Sequence, residues 1–515
     1  MDRGARSFAL SLVLFLGVSE LVAREPALVP DEIAPGVHIL SSAHKMGAAN
    51  MGWIELEDTV FLIDAGHPDH LPKLRQLIQK TTGKPIGRVL LTHAREAQIQ
   101  SAKELASGGA TILGHTKTLA ALGEALPQTI KTVAIENSNT LREDGFEIVI
   151  RSLGHAAGPG NLTAALKKHR VLFAGELIQA AKPDFTRART ERWIAALEDL
   201  NATTYDHVVP GFGSPGTGEL VEQQGRYVRE LRRQVCYMVS QMKPGDFVCK
   251  EIRRLGLPGP LLHWKPYDDP NDGDILHLYG ELTVPNAPFR TEPFDPADRR
   301  PRALCVTGDR VHYPAHIEDG LKSAFDAARM NARIAFDPRA LSAENLAQVD
   351  LFVVLRDGTI WPESMTDSAH WLKKNQVDAL RTFIEGGGGF LSLHNSTALW
   401  RDDYVELLGG KYDGHGPLER FRVRVTDKTH PITRSVEDFE VADEQHWPIV
   451  DTGRVRTFLG NINEDGRAGV AGFEHELGKG RICYLAPGHT REAMEHPMFQ
   501  RLMANAMRWC VRREP

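Results

Sequence analysis

One stretch of the chain, residues 284–301, divides the sequence into two segments of different character. With Arg302 it reads VPNAPFRTEPFDPADRRPR, and it holds five prolines and many charges without an apolar repeat. This composition is typical of a linker, because it offers no apolar face to bury. A chain of 515 residues is also too long for a single core. The sequence therefore predicts two domains, residues 30–283 and 302–515, joined by a linker at 284–301.

The chain opens with a charged and then apolar segment. Arg3 and Arg6 precede an apolar run from Phe8 to Val18, which is short for a bilayer-spanning helix and has the layout of an export signal. An anchor helix or a buried helix is the alternative. We expect residues 1–23 to be a signal peptide and the protein to be exported, periplasmic or extracellular. Contact with the membrane is then limited to this segment.

The composition of the whole chain restricts its partners. The net charge is −6, with 42% hydrophobic and 25% charged residues, which is typical of a soluble globular protein. Without a long basic run the chain is not expected to bind nucleic acid, since phosphate contacts need clustered Lys and Arg. Five cysteines lie far apart, and an exported protein could join Cys236 to Cys249.

In the segment before the linker, short apolar runs come first and helical patterns are interleaved with them. Strand-like runs include GVHILSS, MGWIELE, TVFLIDAG, RVLLT, TILGH, FEIVIRSLGH and VLFAGELI. Leu71, Leu74, Leu77 and Ile78 follow a helical period, and further helices are predicted near 190–200 and 219–241. This order predicts a layered mixed α/β domain.

Several motifs of this segment, taken in order, resemble those of the metallo-β-lactamase fold. They are LIDAG, LTHAREAQ, LGHAAGPGN, LFAGELI and VVPGFGSP. The resemblance implies an αββα sandwich. It also implies a zinc hydrolase, whose ligand loop carries H-x-H-x-D-H where this chain reads His93 to Gln98.

Most of the family's metal ligands are missing from this chain. His93 and His155 match ligand positions, and Glu176 stands where the family has a bridging Asp. Other ligand positions hold Arg95, Ala97, Gln98 and Phe212. A catalytic zinc needs at least three protein ligands, and a guanidinium on the ligand loop opposes a divalent ion. We therefore expect a vestigial site without metal, in which Arg95 pairs with Glu176 or Glu96. A residual mononuclear metal hydrolase is the alternative.

The segment after the linker alternates strands and helices throughout. ALCVTGDRVHY, the continuous apolar run VDLFVVL, FLSLH after a glycine run, and RICYLAPGH are separated by helical patterns. This alternation predicts a doubly wound parallel sheet of the flavodoxin type, which binds ligands beyond the carboxyl ends of its strands. Gly308, His394 and Gly488-His489 fall at such ends.

The glycine run before FLSLH resembles the turn that precedes the nucleophile elbow of class I glutamine amidotransferases. The elbow residue here is His394, and none of the five cysteines lies near it, so amidotransferase chemistry is excluded. Residues 302–512 more closely resemble the ThuA (trehalose utilisation) family. The matching stretches are VTGDRVHYPAH, GGGGFLSLHNS, KTHPITRSVEDFEVADEQHW and GRICYLAPGHTREAMEHPMFQRLMANAMRW. The family often has a Tyr where this chain has Gln445-His446-Trp447.

Four residues are candidates for one site at the edge of this sheet. His312, His394 and His489 follow apolar strands, and we expect them to converge with Glu444 reaching the same cavity. Three imidazoles close together favour a divalent cation such as zinc. We assign catalytic roles to His394, His489 and Glu444. The alternative is that these histidines only cap their turns and helices.

Aromatic residues near this edge are candidates for sugar binding. Trp400 and Trp447 could stack on an apolar sugar face, with His312 as a further substrate contact. We expect His415, His430 and His475 to be surface or loop residues.

The resemblance to ThuA implies sugar catabolism, in particular of keto-derivatives of disaccharides. We therefore expect an exported carbohydrate-metabolism protein whose partner is a small sugar, with isomerase- or lyase-type activity in the second domain. Two alternatives stay open: residual metal hydrolysis in the first domain, and sugar binding or scaffolding without turnover.

Overall fold

The computed structural model of the chain describes residues 29–41, 49–123, 130–180, 183–255, 271–283, 294–295, 297–312, 314–361 and 368–512. The predicted signal peptide and most of the predicted linker lie outside the described residues. Within the described ranges, no helix has the length and apolar character needed to cross a membrane.

The first part of the chain contains two sheets. The first sheet has the strand order β1 to β7: Asp31–Ala34, Val37–Leu40, Met51–Glu55, Val60–Ile63, Ile86–Leu91, Thr111–Gly114 and Thr132–Ala134. The second has the order β12-β11-β10-β9-β8, formed by Ser138–Glu143 (β8), Phe146–Ser152 (β9), Leu162–Leu166 (β10), Val171–Ala180 (β11) and His207–Gly213 (β12). The helices are Leu71–Thr82 (α1), Glu96–Ser107 (α2), Thr116–Ala120 (α3), Thr190–Asn201 (α4), Glu219–Ser240 (α5), Gly245–Leu255 (α6) and Asp272–Leu282 (α7).

These two sheets pack face to face between two layers of helices. Strand β4 shows why: Phe61 and Ile63 point into a core shared with the second sheet, whereas Val60 and Leu62 point into a core shared with α1 and α2. A strand with both faces buried carries apolar residues at every position. The outer face of the second sheet packs on α4 and α5. The expected αββα sandwich is therefore observed.

The second part is built on one nine-stranded sheet of order β14-β13-β15-β18-β25-β24-β23-β20-β21. Its parallel half comprises Arg302–Thr307 (β13), Asn331–Ala335 (β14), Leu351–Leu355 (β15), Gly389–Leu393 (β18) and Gly480–Leu485 (β25). Its helices are Pro314–Ala327 (α8), Ala343–Leu346 (α9), Lys374–Glu385 (α10), Asp402–Leu408 (α11), Arg491–Glu495 (α12) and Pro497–Cys510 (α13). This part also contains two separate two-stranded sheets: Thr359–Ile360 (β16) pairs with Ala369–His370 (β17), and Gly410–Lys411 (β19) pairs with Ile449–Val450 (β22).

The expected parallel arrangement does not extend to the other half of the sheet. His415–Val425 (β20), Phe439–His446 (β21), Arg456–Asn463 (β23) and Ala468–Leu477 (β24) are antiparallel. In β20 the buried Phe421, Val423 and Val425 alternate with exposed arginines. This alternation is typical of a strand with one face in water, which antiparallel sheets tolerate and parallel sheets do not.

Direct contacts join the two parts of the chain. Arg232 of α5 forms a buried ion pair with Glu318 of α8 at 2.8 Å. Phe336, which follows β14, lies in the core beneath α4 and α5. The five cysteines are all buried and free, so the disulfide that the sequence made possible between Cys236 and Cys249 is not formed.

Candidate metal centre at the edge of the C-terminal sheet

Four side chains from separate strands meet at the carboxyl edge of the parallel half-sheet. His312 follows β13, His394 follows β18, His489 follows β25, and Glu444 lies near the end of β21. One nitrogen of each imidazole and one carboxylate oxygen all lie within 4.8 Å of one another. The convergence predicted from the sequence is therefore observed. Strands β13, β18 and β25 belong to the same parallel half-sheet, with β15 between β13 and β18, so the residues that follow them share one edge.

Asp309 orients the first histidine. Its carboxylate is fully buried, and its oxygens accept from His312 Nδ1 at 2.7 and 2.8 Å. Asn395 Nδ2 and the backbone N–H of Asp357 donate to Oδ2 of the same carboxylate, at 2.9 and 3.1 Å. Burial raises the pKa of Asp309, but the neighbouring His312 and the hydrogen bonds from Asn395 and the backbone N–H of Val311 outweigh burial and hold it well below its usual range. With a proton on Nδ1, His312 presents the lone pair of Nε2 to the cluster.

His394 occupies a sharp turn directly after β18. Its backbone φ is 51°, a left-handed conformation that is uncommon for residues other than glycine. The Nδ1 of His394 donates to the carbonyl of Ala486 at 2.8 Å. The backbone carbonyl of His394 accepts from Tyr484 Oη at 2.8 Å. A side chain at Gly488 would approach His394 Cβ to 2.9 Å, so glycine is required there. The fixed tautomer again leaves Nε2 as an acceptor.

The turn that carries His489 is held by a second buried carboxylate. Asp443 accepts from the backbone N–H groups of Gly488, His489 and Thr490 at 2.8, 3.0 and 3.0 Å. In the sheet order three strands separate β21 from β25, so these bonds require the antiparallel half to curl back over the edge. The curl brings Glu444, next to Asp443, to 3.3 Å from His489 Nδ1.

Glu444 is surrounded by imidazoles. Its Oε2 lies 3.7 Å from His394 Nε2 and 3.7 Å from His446 Nε2. Burial raises the pKa of Glu444, but the neighbouring imidazoles of His394, His446 and His489 outweigh burial and hold it well below its usual range. Burial lowers the pKa of His489, but Glu444 outweighs burial and raises it. The carboxylate is therefore ionised at neutral pH.

The donor set fits a divalent metal ion. His312 Nε2, His394 Nε2 and His489 Nδ1 are buried atoms without a hydrogen-bond partner in the part of the chain that the structure describes. Buried polar atoms are rarely left unpaired, so three of them facing one point indicate a missing partner. Three imidazole nitrogens and one carboxylate oxygen match the number and type of ligands that zinc prefers.

Two arginines occupy the pocket of the N-terminal sandwich that holds His93, His155 and Glu176. Arg95 forms an ion pair with Glu176, as predicted, and donates to Asp184 at 3.1 Å. Arg187 also donates to both oxygens of Glu176 at 2.8 Å, a contact that the sequence did not reveal. Burial raises the pKa of Glu176, but His93 and the two arginines outweigh burial and lower it.

The two remaining histidines of this site form ordinary hydrogen bonds. His93 is fully buried between Thr92 Oγ1, at 2.8 Å, and Gln98 Nε2, at 3.0 Å. His155 Nε2 lies 2.8 Å from the carbonyl of Arg187. Phe212 packs edge-on against His93 and under the Arg95 guanidinium. These contacts occupy the imidazoles and the carboxylate that a metal would need.

Residues 302–510 match the family model described as "ThuA: Trehalose utilisation". This part of the chain is a ThuA-family domain. None of the curated proteins matches the chain.

Solved structures of metallo-β-lactamases resemble the N-terminal part of the chain. The metallo-β-lactamase from Pontibacter korlensis is 19% identical and has a TM-score of 0.36, over 39% of this chain and 99% of that chain. FIM-1 from Pseudomonas aeruginosa, in its mono-zinc form, is 19% identical and has a TM-score of 0.34, over 39% of this chain and 94% of that chain.

Two further histidines of the ThuA domain lie beside the centre. His446 is buried, its ring centroid is 4.1 Å from that of His394, and neither of its nitrogens has a partner among the described residues. Burial, and then the neighbouring His394, hold the pKa of His446 well below its ordinary value. His415, a weaker candidate that was expected to be a surface or loop residue, is exposed, stacks on His446 and lies 3.7 Å from Glu444. The Gln-His-Trp departure from the family pattern was the available sequence signal for His446.

The other two histidines that were expected in surface or loop positions are buried. His430 stacks on Phe458 and lies 3.5 Å from Glu474, and His475 Nε2 lies 3.1 Å from the carbonyls of Leu407 and Leu408. Both contacts stabilise the core of the ThuA domain, because a buried imidazole needs polar partners.

The aromatic candidates lie differently around the centre. Trp400 is 55% exposed and packs edge-on against Tyr412, whose ring lies 5.6 Å from that of His446. An exposed aromatic surface therefore leads from Trp400 to the cluster. Trp447 is partly buried, and the guanidinium of Arg467 covers its ring at 3.1 Å.

Proposed function

We propose that the ThuA domain binds one divalent metal ion through His312, His394, Glu444 and His489 and acts on keto-sugars. The observation that carries this proposal is the convergence of three unpaired imidazole nitrogens and one carboxylate oxygen within 4.8 Å. Asp309 and the carbonyl of Ala486 support it, because they fix the tautomers that present the nitrogens to one point.

A metal ion bound here would polarise the carbonyl of a keto-sugar. His446 supports the associated proton transfer, because its neutral, buried ring stands beside the cluster with unpaired nitrogens. A base in this place would take a proton from the carbon next to the carbonyl. Enolisation, isomerisation and elimination all begin with that step.

The exposed aromatic surface supports a sugar as substrate. Trp400 and Tyr412 present ring faces and edges near the cluster, and apolar sugar faces stack on such rings. The family description, trehalose utilisation, points to the same chemical class.

We propose that the N-terminal sandwich is not hydrolytic. Two guanidinium groups pair with Glu176 where a metal would need that carboxylate. We also propose export, which rests on the pattern of residues 1–23. N-terminal sequencing of the mature protein from its native host tests export: a chain that still begins at Met1 in the cytoplasm contradicts it.

The test of the main proposal uses purified full-length protein, stripped of metal and reloaded with Zn²⁺ or Mn²⁺. Keto-disaccharides are incubated with it in D₂O, and NMR measures deuterium incorporation at the carbon next to the carbonyl. We expect exchange that depends on added metal and is lost in the His394→Asn variant.

Other outcomes select the alternatives. Saturable sugar binding without exchange or turnover, in metal-loaded protein, supports a non-catalytic sugar-binding role. Hydrolysis of an ester or β-lactam that persists in His394→Asn supports a residual hydrolase in the N-terminal domain. A wild-type protein that retains no divalent ion after equilibrium dialysis contradicts the metal centre itself.

A further inference from the structure

The end of helix α5, in the N-terminal sandwich, lies against the edge of the ThuA sheet that carries the metal centre. Gly308, directly before Asp309, approaches it so closely that a side chain there would meet Ser240 Cβ at 3.1 Å. Gly308 also has φ of +88°, which favours glycine independently. The turn after β13 is therefore packed closely against the side chains of Ser240, in the last turn of α5, and of Phe336, which would lie 3.0 Å from such a side chain.

Arg356 links the two parts at this point. It follows β15 directly, is fully buried, and donates from Nη2 to the carbonyl of Ser240 at 3.0 Å. That carbonyl belongs to the last turn of α5, where carbonyl groups have no partner within the helix and the helix dipole is negative. The guanidinium also lies 4.9 Å from the ring of Trp371.

The backbone at Arg356 is tied to the first metal ligand. The N–H of Asp357 donates to Asp309 Oδ2, and Asp309 in turn holds His312 Nδ1. On the other side, Trp371 Nε1 donates to the carbonyl of Asp357 at 2.7 Å. A shift of residues 356–357 would therefore move the carboxylate that orients His312.

The rest of the Arg356 guanidinium is held by charge instead of hydrogen bonds, since the carboxylates of Asp309, Asp357 and Asp337 attract it. Its Nε and Nη1 have no hydrogen-bond partner among the residues that the structure describes. The carbonyl of Ser240 is thus the direct hydrogen-bond acceptor of the guanidinium within the described chain. Burial of a cation is unfavourable unless opposite charges offset it, so the guanidinium is coupled both to Ser240 and to the carboxylate of Asp309.

We propose that Arg356 is a positioning residue through which the N-terminal sandwich holds the Asp309–His312 arm of the ThuA metal centre. This inference rests on the proposed function, because it takes the four-residue cluster to be a metal site. It gives the sandwich a role that needs no chemistry of its own: its helix α5 completes the support of the other domain's site.

The test compares two interdomain contacts in full-length protein. Arg356→Met removes the donors while keeping much of the side-chain volume, and Arg356→Lys keeps the charge. The matched control is the double variant Arg232→Met/Glu318→Gln, which removes the buried ion pair between α5 and α8. That pair makes no hydrogen bond to Asp309 or to a member of the cluster.

Three quantities are measured for each protein: the dissociation constant for Zn²⁺ by competition with a chelator, the melting temperature without metal, and hydrogen exchange of the peptide spanning 302–312 without metal. We expect Arg356→Met to weaken Zn²⁺ binding about tenfold to hundredfold, the range typical of supporting residues around metal ligands. The Zn²⁺ affinity of Arg356→Lys should lie between that of Arg356→Met and that of the wild type. Exchange in 302–312 should rise in Arg356→Met, whereas the control should change only the melting temperature.

The results separate this inference from the proposed function. Wild-type affinity and wild-type exchange in Arg356→Met contradict the positioning role, as does equal weakening of Zn²⁺ binding in the control. If Arg356→Met does not fold, Arg356→Lys decides the question by the same two readouts. If the wild type binds no Zn²⁺, the proposed function fails, and the exchange of 302–312 still shows whether Arg356 holds this arm.

Discussion

At the scale of single residues, His394 is the ligand whose removal gives the clearest result. Its left-handed backbone makes Asn a better replacement than Ala, since Asn tolerates that conformation. We predict that His394→Asn lowers Zn²⁺ affinity at least a hundredfold, as expected when one of four ligands is lost, and changes the stability of the metal-free protein little. Competition with a chelator measures the Zn²⁺ affinity, and thermal unfolding measures the stability of the metal-free protein.

The matched control for this variant is His430→Asn. His430 is equally buried in the same domain but contacts Phe458 and Glu474 instead of the cluster. It should lower the melting temperature and leave Zn²⁺ affinity unchanged. Equal affinities of His394→Asn and the wild type would remove His394 from the site.

A second residue-scale prediction concerns Glu176 and pH. Because the folded-state pKa of Glu176 lies below the ordinary value of 4.5, its carboxylate stabilises the fold at neutral pH, and this contribution falls as pH drops through the folded-state pKa. Glu176→Gln leaves Arg95 and Arg187 without their shared partner. We predict a loss of about 2 kcal/mol in the free energy of unfolding at pH 7, reduced from a fully buried pair because both arginines are partly exposed.

Urea unfolding at pH 7 and at pH 3.5 measures this effect. The difference between Glu176→Gln and the wild type should be smaller at the lower pH. The control is Glu147→Gln, whose ion pair with Arg142 is exposed and should change stability by less than about 1 kcal/mol at either pH. A difference that grows on acidification would contradict the assigned role of Glu176.

At the scale of elements, the turn after β25 depends on strand β21. Asp443 accepts three backbone N–H groups of residues 488–490, and Asn would place an amide group among those donors. We predict that Asp443→Asn destabilises the protein by about 2–4 kcal/mol, because hydrogen bonds to a buried charge are lost, and weakens Zn²⁺ binding through His489. The control Asp438→Asn removes the charge of the carboxylate that accepts from the Val425 N–H in the same half-sheet, and should leave Zn²⁺ affinity unchanged.

The sequence predicted the strands of the parallel half of the ThuA sheet better than those of the antiparallel half. Continuous apolar runs such as β15 and β18 report burial on both faces, and so indicated the parallel half and its edge. The antiparallel half was missed because β20 alternates over only part of its length, and the curl that brings β21 to β25 is a tertiary property. The ends of the parallel strands were therefore enough to predict where His312, His394 and His489 lie, whereas Glu444 belongs to β21 in the half that was missed.

The residues that hold the metal ligands in place could not be predicted from the sequence in the same way. Asp309 lies three residues before His312, and Asp443 lies next to Glu444, yet nothing local distinguishes them from surface acids. Their roles depend on which backbone groups the fold brings within 3 Å. The pairing of Arg95 with Glu176 was predictable because a buried carboxylate without its metal needs a cation, whereas the participation of Arg187 depends on the loop that returns it to the same pocket.

At the scale of the whole molecule, the proline-rich segment 284–301 and the interdomain contacts lead to one prediction. The composition of the segment predicts a protease-sensitive linker, so brief proteolysis should cut there and leave two resistant fragments. The buried Arg232–Glu318 pair, the Arg356–Ser240 bond and the insertion of Phe336 into the N-terminal core should keep those fragments together. We therefore expect the nicked protein to elute as one species on size exclusion, with two bands on a denaturing gel.

The control for this experiment is the Arg232→Met/Glu318→Gln variant cut in the same way. Its fragments should separate at a lower urea concentration than those of the wild type, because one buried ion pair across the interface is gone. Resistance of the intact chain to cutting within 284–301 would contradict the domain boundary. Fragments that separate at once without denaturant would show that the contacts at Ser240 and Glu318 do not hold the halves together. If the separated C-terminal fragment then retains Zn²⁺, the metal centre needs no support from α5.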